Sequence, residues 1–343
     1  MPLHYGAAFF SARLFPQLIF FLVCVTMFFM DLECLLWLQS LRERSGGAVE
    51  NIFAIISEST AYLVAVLFLF CVAFNKKKFL HALFCYGMTV TINAFVKITA
   101  CVYRPWIREP RIYPSKKVIK SATGYSFPSG HTSAVSSCSL GIIFQYKNNV
   151  VLAIVFLIFV LVVAFSRNYL GCHTPQDVLF ALLESIAGLA AAEFILGYLE
   201  KHDEKDAAFF AAATFFYALL FLYIFAKPYP IDKDEAGNIL VLPEVMQRDA
   251  AFDFSFGLGL VHGWFFEKRL VKFSTDDLNA KKRILRMAVV TLFGLLVNFV
   301  IYPQAKIFFD PRLAKFIKGY LFALGGLFIG PLIFTKIERA LKW

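Results

Sequence analysis

A chain of 343 residues that is 59% hydrophobic and only 17% charged does not carry the polar surface of a soluble domain, where about a quarter of residues are charged. The apolar runs are continuous rather than alternating, which excludes a membrane β-barrel and leaves helices as the spanning element. The expectation is an all-α polytopic membrane protein of about ten transmembrane helices. Its net charge of +10 is not read as a sign of a nucleic-acid partner.

In chain order, windows long enough to cross a bilayer predict helices at about 14–30, 54–74, 79–100, 128–145, 149–166, 176–199, 207–226, 250–266, 286–303 and 314–335. The first follows Arg13 with no small-residue cleavage site, so it reads as a retained helix rather than a signal peptide. Met30 opens "MDLECLLWLQSLRER", which reads equally as an alternative start or as an amphipathic helix lying in the interface. The seven cysteines include no CxxC pair and read as small buried hydrophobes. Residues 1–200 are expected to form a six-helix core. Residues 201–343 are expected to form a four-helix membrane extension whose role no motif assigns.

With the N-terminus inside, the 34 basic residues divide evenly between the two sides. Eight of the outer ones are concentrated at Lys97, in the 101–127 loop (Arg104, Arg108, Arg111, Lys116, Lys117 and Lys120) and at Arg167. Without these eight, the usual inner excess of Lys and Arg reappears. A cation cluster on the wrong side points to an anionic ligand there.

Three blocks face that outer side: "KITACVYRP" (97–105), "PSGH" (128–131) and "SRNYLGCHTPQD" (166–177). They supply three cations, Lys97, Arg104 and Arg167. In one pocket these would repel each other unless a dianion such as phosphate were bound, and arginine forks match its oxygens. Ser129 and Gly130 open a helix whose amides and dipole favour an anion. Asp177, four residues after His173, can fix the imidazole tautomer and leave the other nitrogen to attack phosphorus. His131 can protonate the departing alkoxide. The product of attack would be a phosphohistidine that water hydrolyses. On this reading no metal or other cofactor is required.

These blocks resemble the three signature motifs of the type-2 phosphatidic acid phosphatase superfamily, which also contains lipid phosphate phosphatases, glucose-6-phosphatase and the vanadium haloperoxidases. Every motif position is matched, over about residues 14–200. The resemblance implies a six-helix core with its site at the outer face. It implies Lys97, Arg104, Ser129, Gly130 and Arg167 as phosphate holders, His173 as nucleophile, His131 as acid and Asp177 as the orienting carboxylate.

Each piece also has a plainer reading. Lys97 alone is a helix-end lysine reaching for the interface. Thr174, Pro175 and Asp177 form a helix start with a capping box, and Asp177 can serve cap and histidine with one oxygen each. Glu184, Glu193, Asp253 and His262 read as interhelical bonds or membrane-edge groups, and His81 as interfacial. The expected activity is hydrolysis of a lipid phosphate or diphosphate in the cell membrane, with the site extracytoplasmic. Phosphoryl transfer to a second lipid, a soluble phosphate ester as substrate, and anionic-lipid transport are the alternatives. The extra cations of the 101–127 loop suggest a diphosphate or anionic headgroup, and a homo-oligomer is compatible with the chain.

Overall fold

The computed structural model describes residues 31–343; α1, which runs Gly6–Glu58, reaches back beyond them. The expectations for 14–30 and for a start at Met30 lie outside the described residues. α1 is broken at Gly46, whose φ of 75° is left-handed and suits a residue without Cβ. Before the break, Leu32, Leu35 and Leu38 cluster with Ile112 of the 101–127 loop. Gln39 accepts from the Tyr113 amide at 2.9 Å, and Arg42 donates to the Tyr113 and Tyr169 carbonyls at 2.6 and 3.0 Å. The amphipathic stretch is therefore a clamp on the loop that carries Arg104.

A 3₁₀ turn at Ser59–Tyr62 separates α1 from α2 (Leu63–Ala73), so the span expected at 54–74 is built from two pieces. α3 (Lys76–Ala100) is the central post. It packs against α5 (Gly130–Gln145), α7 (Pro175–Leu199) and α9 (Pro243–Phe266). Two glycines allow the close approach. A methyl group on Gly141 would sit 2.7 Å from the Ala82 Cα, and one on Gly188 would strike the Thr89 hydroxyl. Contact of this kind holds helices together in lipid, where apolar burial alone does not.

α4 (Pro105–Arg108) is a single turn after the Arg-Pro pair. α6 (Val150–Tyr169) turns Val151, Val155, Ile158 and Leu161 outward, as a lipid-facing surface requires. α8 (Asp206–Ala226) flanks α9. α10 (Ala280–Leu296) continues through a π turn into α11 (Tyr302–Phe308), and α12 (Pro311–Leu324) likewise into α13 (Gly330–Ala340). At the end away from the motif blocks, Lys76 pairs with Glu267 at 2.6 Å and Arg286 with Glu338 at 2.7 Å, fastening the later helices to the core. Among the described residues no strand forms, and the cysteines are free.

Seven segments among the described residues are long and apolar enough to cross a membrane. α5 and α9, both expected as spans, are not among them. α5 has 16 residues and carries Ser133, Ser136, Ser137 and Ser139. α9 interrupts its apolar residues with Asp253, Ser255, His262 and glycines. Both are enclosed by other helices, so their polar groups face protein rather than lipid.

Candidate active site

The three motif blocks meet at one end of the bundle. Lys97 stands on the last turn of α3, which Cys101 ends with a left-handed φ of 51°. The chain then turns into Arg104, whose guanidinium is gripped by three carbonyls. It donates to Cys172 at 3.0 Å, Thr123 at 2.8 Å and Gly124 at 3.2 Å. Its Nη1 also lies 2.9 Å from His173 Nε2.

Ser129 caps α5 with its hydroxyl on that of Thr132 at 3.0 Å rather than on a backbone amide, and its own amide donates to the Asp177 carbonyl at 3.0 Å. Gly130 leaves the helix start open: a Cβ there would lie 3.8 Å from Lys97 Nζ. The ammonium therefore stands beside the positive end of α5, an arrangement that favours an anion between them.

α7 begins as its sequence requires, with Thr174 as N-cap, Pro175 in the first turn and a complete capping box to Asp177. Such a cap is worth about 1 kcal/mol. Asp177 accepts from the Thr174 amide at 2.9 Å and from the Ser126 hydroxyl, and faces His173 Nδ1 at 3.3 Å. The expectation of one carboxylate oxygen for the cap and one for the histidine is corrected here. All three contacts fall on Oδ2, because the histidine precedes the cap and approaches the carboxylate from the same side. Both contacts of the His173 ring fit one tautomer: Nδ1–H donates to Asp177, and the Nε2 lone pair accepts from Arg104. Burial, then Arg104, Arg167, Lys97 and His131, push the His173 pKa well below the ordinary imidazole value. Both effects favour the neutral ring.

Arg167, on the last turn of α6, is fully buried. Its Nη1 donates to Ser57 Oγ at 2.7 Å and lies 3.6 Å from Glu58 Oε1. Its Nε and Nη2 have no hydrogen-bond partner among the described residues. His131 Nε2 lies 3.5 Å from the same Glu58 oxygen, which also accepts from Ser121 at 2.6 Å.

A cavity of about 240 Å³ opens here, walled by Lys97, Arg104, Gly130, His131 and His173, with Asn93 and Thr123 beside them. Ser129, Arg167 and Asp177 are not on its walls. The facing wall comes from α9: Met246, Asp249, Ala250 and Asp253. None of Arg108, Arg111, Lys116, Lys117 and Lys120 lines it. Arg111 instead pairs with Glu109 at 3.0 Å, and Lys117 donates to Asn51.

The remaining polar groups divide. Glu184 accepts from Asn93 at 2.6 Å and from Ser133, tying α7 to α3 and α5. Glu193 contacts His81 at 3.0 Å and accepts from Gln145 at 2.7 Å. His262 sits between Thr214 and Tyr320 at 2.9 and 2.8 Å. These are interhelical bonds, as expected. Asp253 is not, since it faces the cavity. Glu58, Ser126, Asn93 and Asp249 were not anticipated. The signal for Glu58 was a lone acid at the outer end of an apolar run, on the side that carries excess cations.

Compared with known protein families, residues 78–202 match the PAP2 superfamily. No curated protein and no solved structure matches the chain. The matched stretch contains all three motif blocks, whose basic and imidazole side chains converge at one end of the helical bundle. On these two grounds residues 78–202, rather more than a third of the chain, are similar to the type-2 phosphatidic acid phosphatase (PAP2) superfamily, whose members generally act on phosphate esters.

Proposed function

We propose that the protein is a metal-independent phosphatase of membrane lipid phosphates or diphosphates, working through a phosphohistidine at the outer face of the cell membrane. The observation that carries this reading is the clamped His173 ring, with Asp177 3.3 Å from Nδ1 and Arg104 2.9 Å from Nε2. Once the eight cations of the site and its loop are set aside, the excess of Lys and Arg at the opposite end supports the outer location. Residues 1–200 are the catalytic core, and 201–343 add the α9 wall.

An arriving phosphate takes the Arg104 Nη1 donor and frees the Nε2 lone pair. Nε2 attacks phosphorus, the bond to the ester oxygen breaks, and its electron pair leaves with the alkoxide. His131 supplies the proton, so an alcohol departs. Water then attacks the phosphohistidine, His131 takes its proton, and the P–N bond breaks to release inorganic phosphate. Lys97, Arg104, Arg167, Ser129 through its hydroxyl and the Gly130 amide hold the phosphoryl oxygens throughout, a contribution worth several kcal/mol in a closed site. Phosphate release from a lipid phosphate in detergent is expected to survive a chelator and to be blocked by vanadate, whose five-coordinate form mimics the transition state. Activity that vanishes with the chelator and returns with a divalent metal would overturn the reading.

Glu58 is a positioning residue for His131. It holds Nε2 and counters burial and Arg167, which push the His131 pKa down to about 4, so the proton is kept for Nδ1 to pass to the leaving group. Glu58→Gln is expected to lower kcat on an alkyl phosphate by about 10-fold, a fraction of the 10²–10⁴ that an acid supplies. On p-nitrophenyl phosphate, whose leaving group needs no proton, the loss should shrink to about twofold. Equal losses on both esters would remove Glu58 from this role.

A further inference from the structure

The cavity is two-sided in charge. One wall is cationic, and the opposite wall presents Asp249 and Asp253, one helical turn apart on the same face of α9. Carboxylates repel a phosphate dianion, so this wall serves another part of the substrate. Asp249 is partly engaged: Thr123 donates to it at 3.3 Å and Arg248 at 3.2 Å. Asp253 makes no hydrogen bond and no close ion pair among the described residues, and neither does Lys97 across the cavity. A carboxyl group and an amino group without close partners thus face one space. Arg167, which is not on the cavity wall but shares Glu58 with His131, keeps two buried donors without acceptors among the described residues. The volume of about 240 Å³ is several times the roughly 30 Å³ of one liquid water, so a phosphoryl group leaves room beside it.

We infer that α9 reads the leaving alcohol: Asp253, with Asp249 next to it, accepts hydrogen bonds from a hydroxyl or ammonium group close to the ester oxygen. The substrate class is then a phosphate ester of an amino or hydroxy alcohol, rather than a plain alkyl phosphate. Met246 and Ala250 on the same wall receive the adjoining carbons. This rests on the phosphatase reading above.

The test uses the full-length protein in detergent and three esters of equal chain length: dodecyl phosphate, 2-hydroxydodecyl phosphate and 2-aminododecyl phosphate. The wild type is expected to favour the donor-bearing esters over the plain one by about 10-fold or more in kcat/KM, within reach of one buried hydrogen bond. Asp253→Asn should cut the amino-to-plain ratio by about 10-fold and the hydroxy-to-plain ratio by less, because an amide oxygen still accepts from a hydroxyl. A ratio is unaffected by the fraction of variant that folds. Equal rates on all three esters in the wild type, or unchanged ratios in the variant, would overturn the inference and leave the phosphatase reading standing. No hydrolysis of any ester by folded wild type would sink both.

Discussion

Replacing His173 with alanine is expected to lower kcat/KM on a lipid phosphate by at least about 10⁴-fold, the scale of losing a nucleophile that works as part of a unit. The ring is 1% exposed and is fixed from both sides, by Asp177 and by Arg104. Water has no comparable position from which to attack. Enzyme quenched in alkali during turnover should carry protein-bound phosphate in the wild type and none in the variant. The pH profile gives a second readout. Protonation at Nε2 would remove the attacking lone pair. Burial, Arg104, Arg167, Lys97 and His131 together push the ring well below its ordinary pKa of 6.5. The neutral ring therefore persists as pH falls past 6.5, and activity is lost only on descending through the depressed value. The acid limb of kcat/KM, which reports the free enzyme, should lie below 6.5 after correction for substrate ionisation. Activity near that of the wild type in a folded His173→Ala variant would exclude His173 as the nucleophile, and an acid limb at or above 6.5 would contradict its depressed pKa.

What could be read from the chain without its fold follows the range of the interactions. Thr174, Pro175 and Asp177 are legible because a capping box is local, and the structure returns it intact. Arg104 and His173 are legible because fixed spacings between chemically matched residues are rare by chance, and they end 2.9 Å apart. Glu58 is not legible in that way. Its partners, Ser121, His131 and Arg167, come from three other parts of the chain, and only tertiary packing brings them to one carboxylate. Asp253 fails for a related reason. An acid in an apolar helix is visible, but the side it faces depends on how α9 is rotated against α3 and α12. The helices expected at 128–145 and 250–266 form, but α5 is short and α9 is interrupted by polar residues, so neither is among the segments long and apolar enough to cross a membrane. Helices enclosed by protein, as α5 and α9 are, can be short or polar.

Arg167→Lys is expected to lower kcat/KM by about 10²–10³-fold, the cost of losing one oriented donor to a developing charge. The substitution retains a cation, so the loss isolates geometry. Arg167 uses Nη1 on Ser57 and lies 3.6 Å from Glu58, and it keeps Nε and Nη2 buried without partners. Those two atoms form the edge of the guanidinium that grips two oxygens at once. A buried donor without an acceptor costs about 1–3 kcal/mol, and a phosphoryl group bound at that edge would remove the cost. Lysine has one compact donor centre and cannot present two parallel N–H groups. If the lost bonds strengthen as phosphorus becomes five-coordinate, the loss falls mainly on kcat, and vanadate should weaken by about the same factor as kcat/KM. A purely structural arginine would behave differently. Its replacement would lower the melting temperature and the active fraction, and leave the vanadate affinity of the surviving enzyme unchanged.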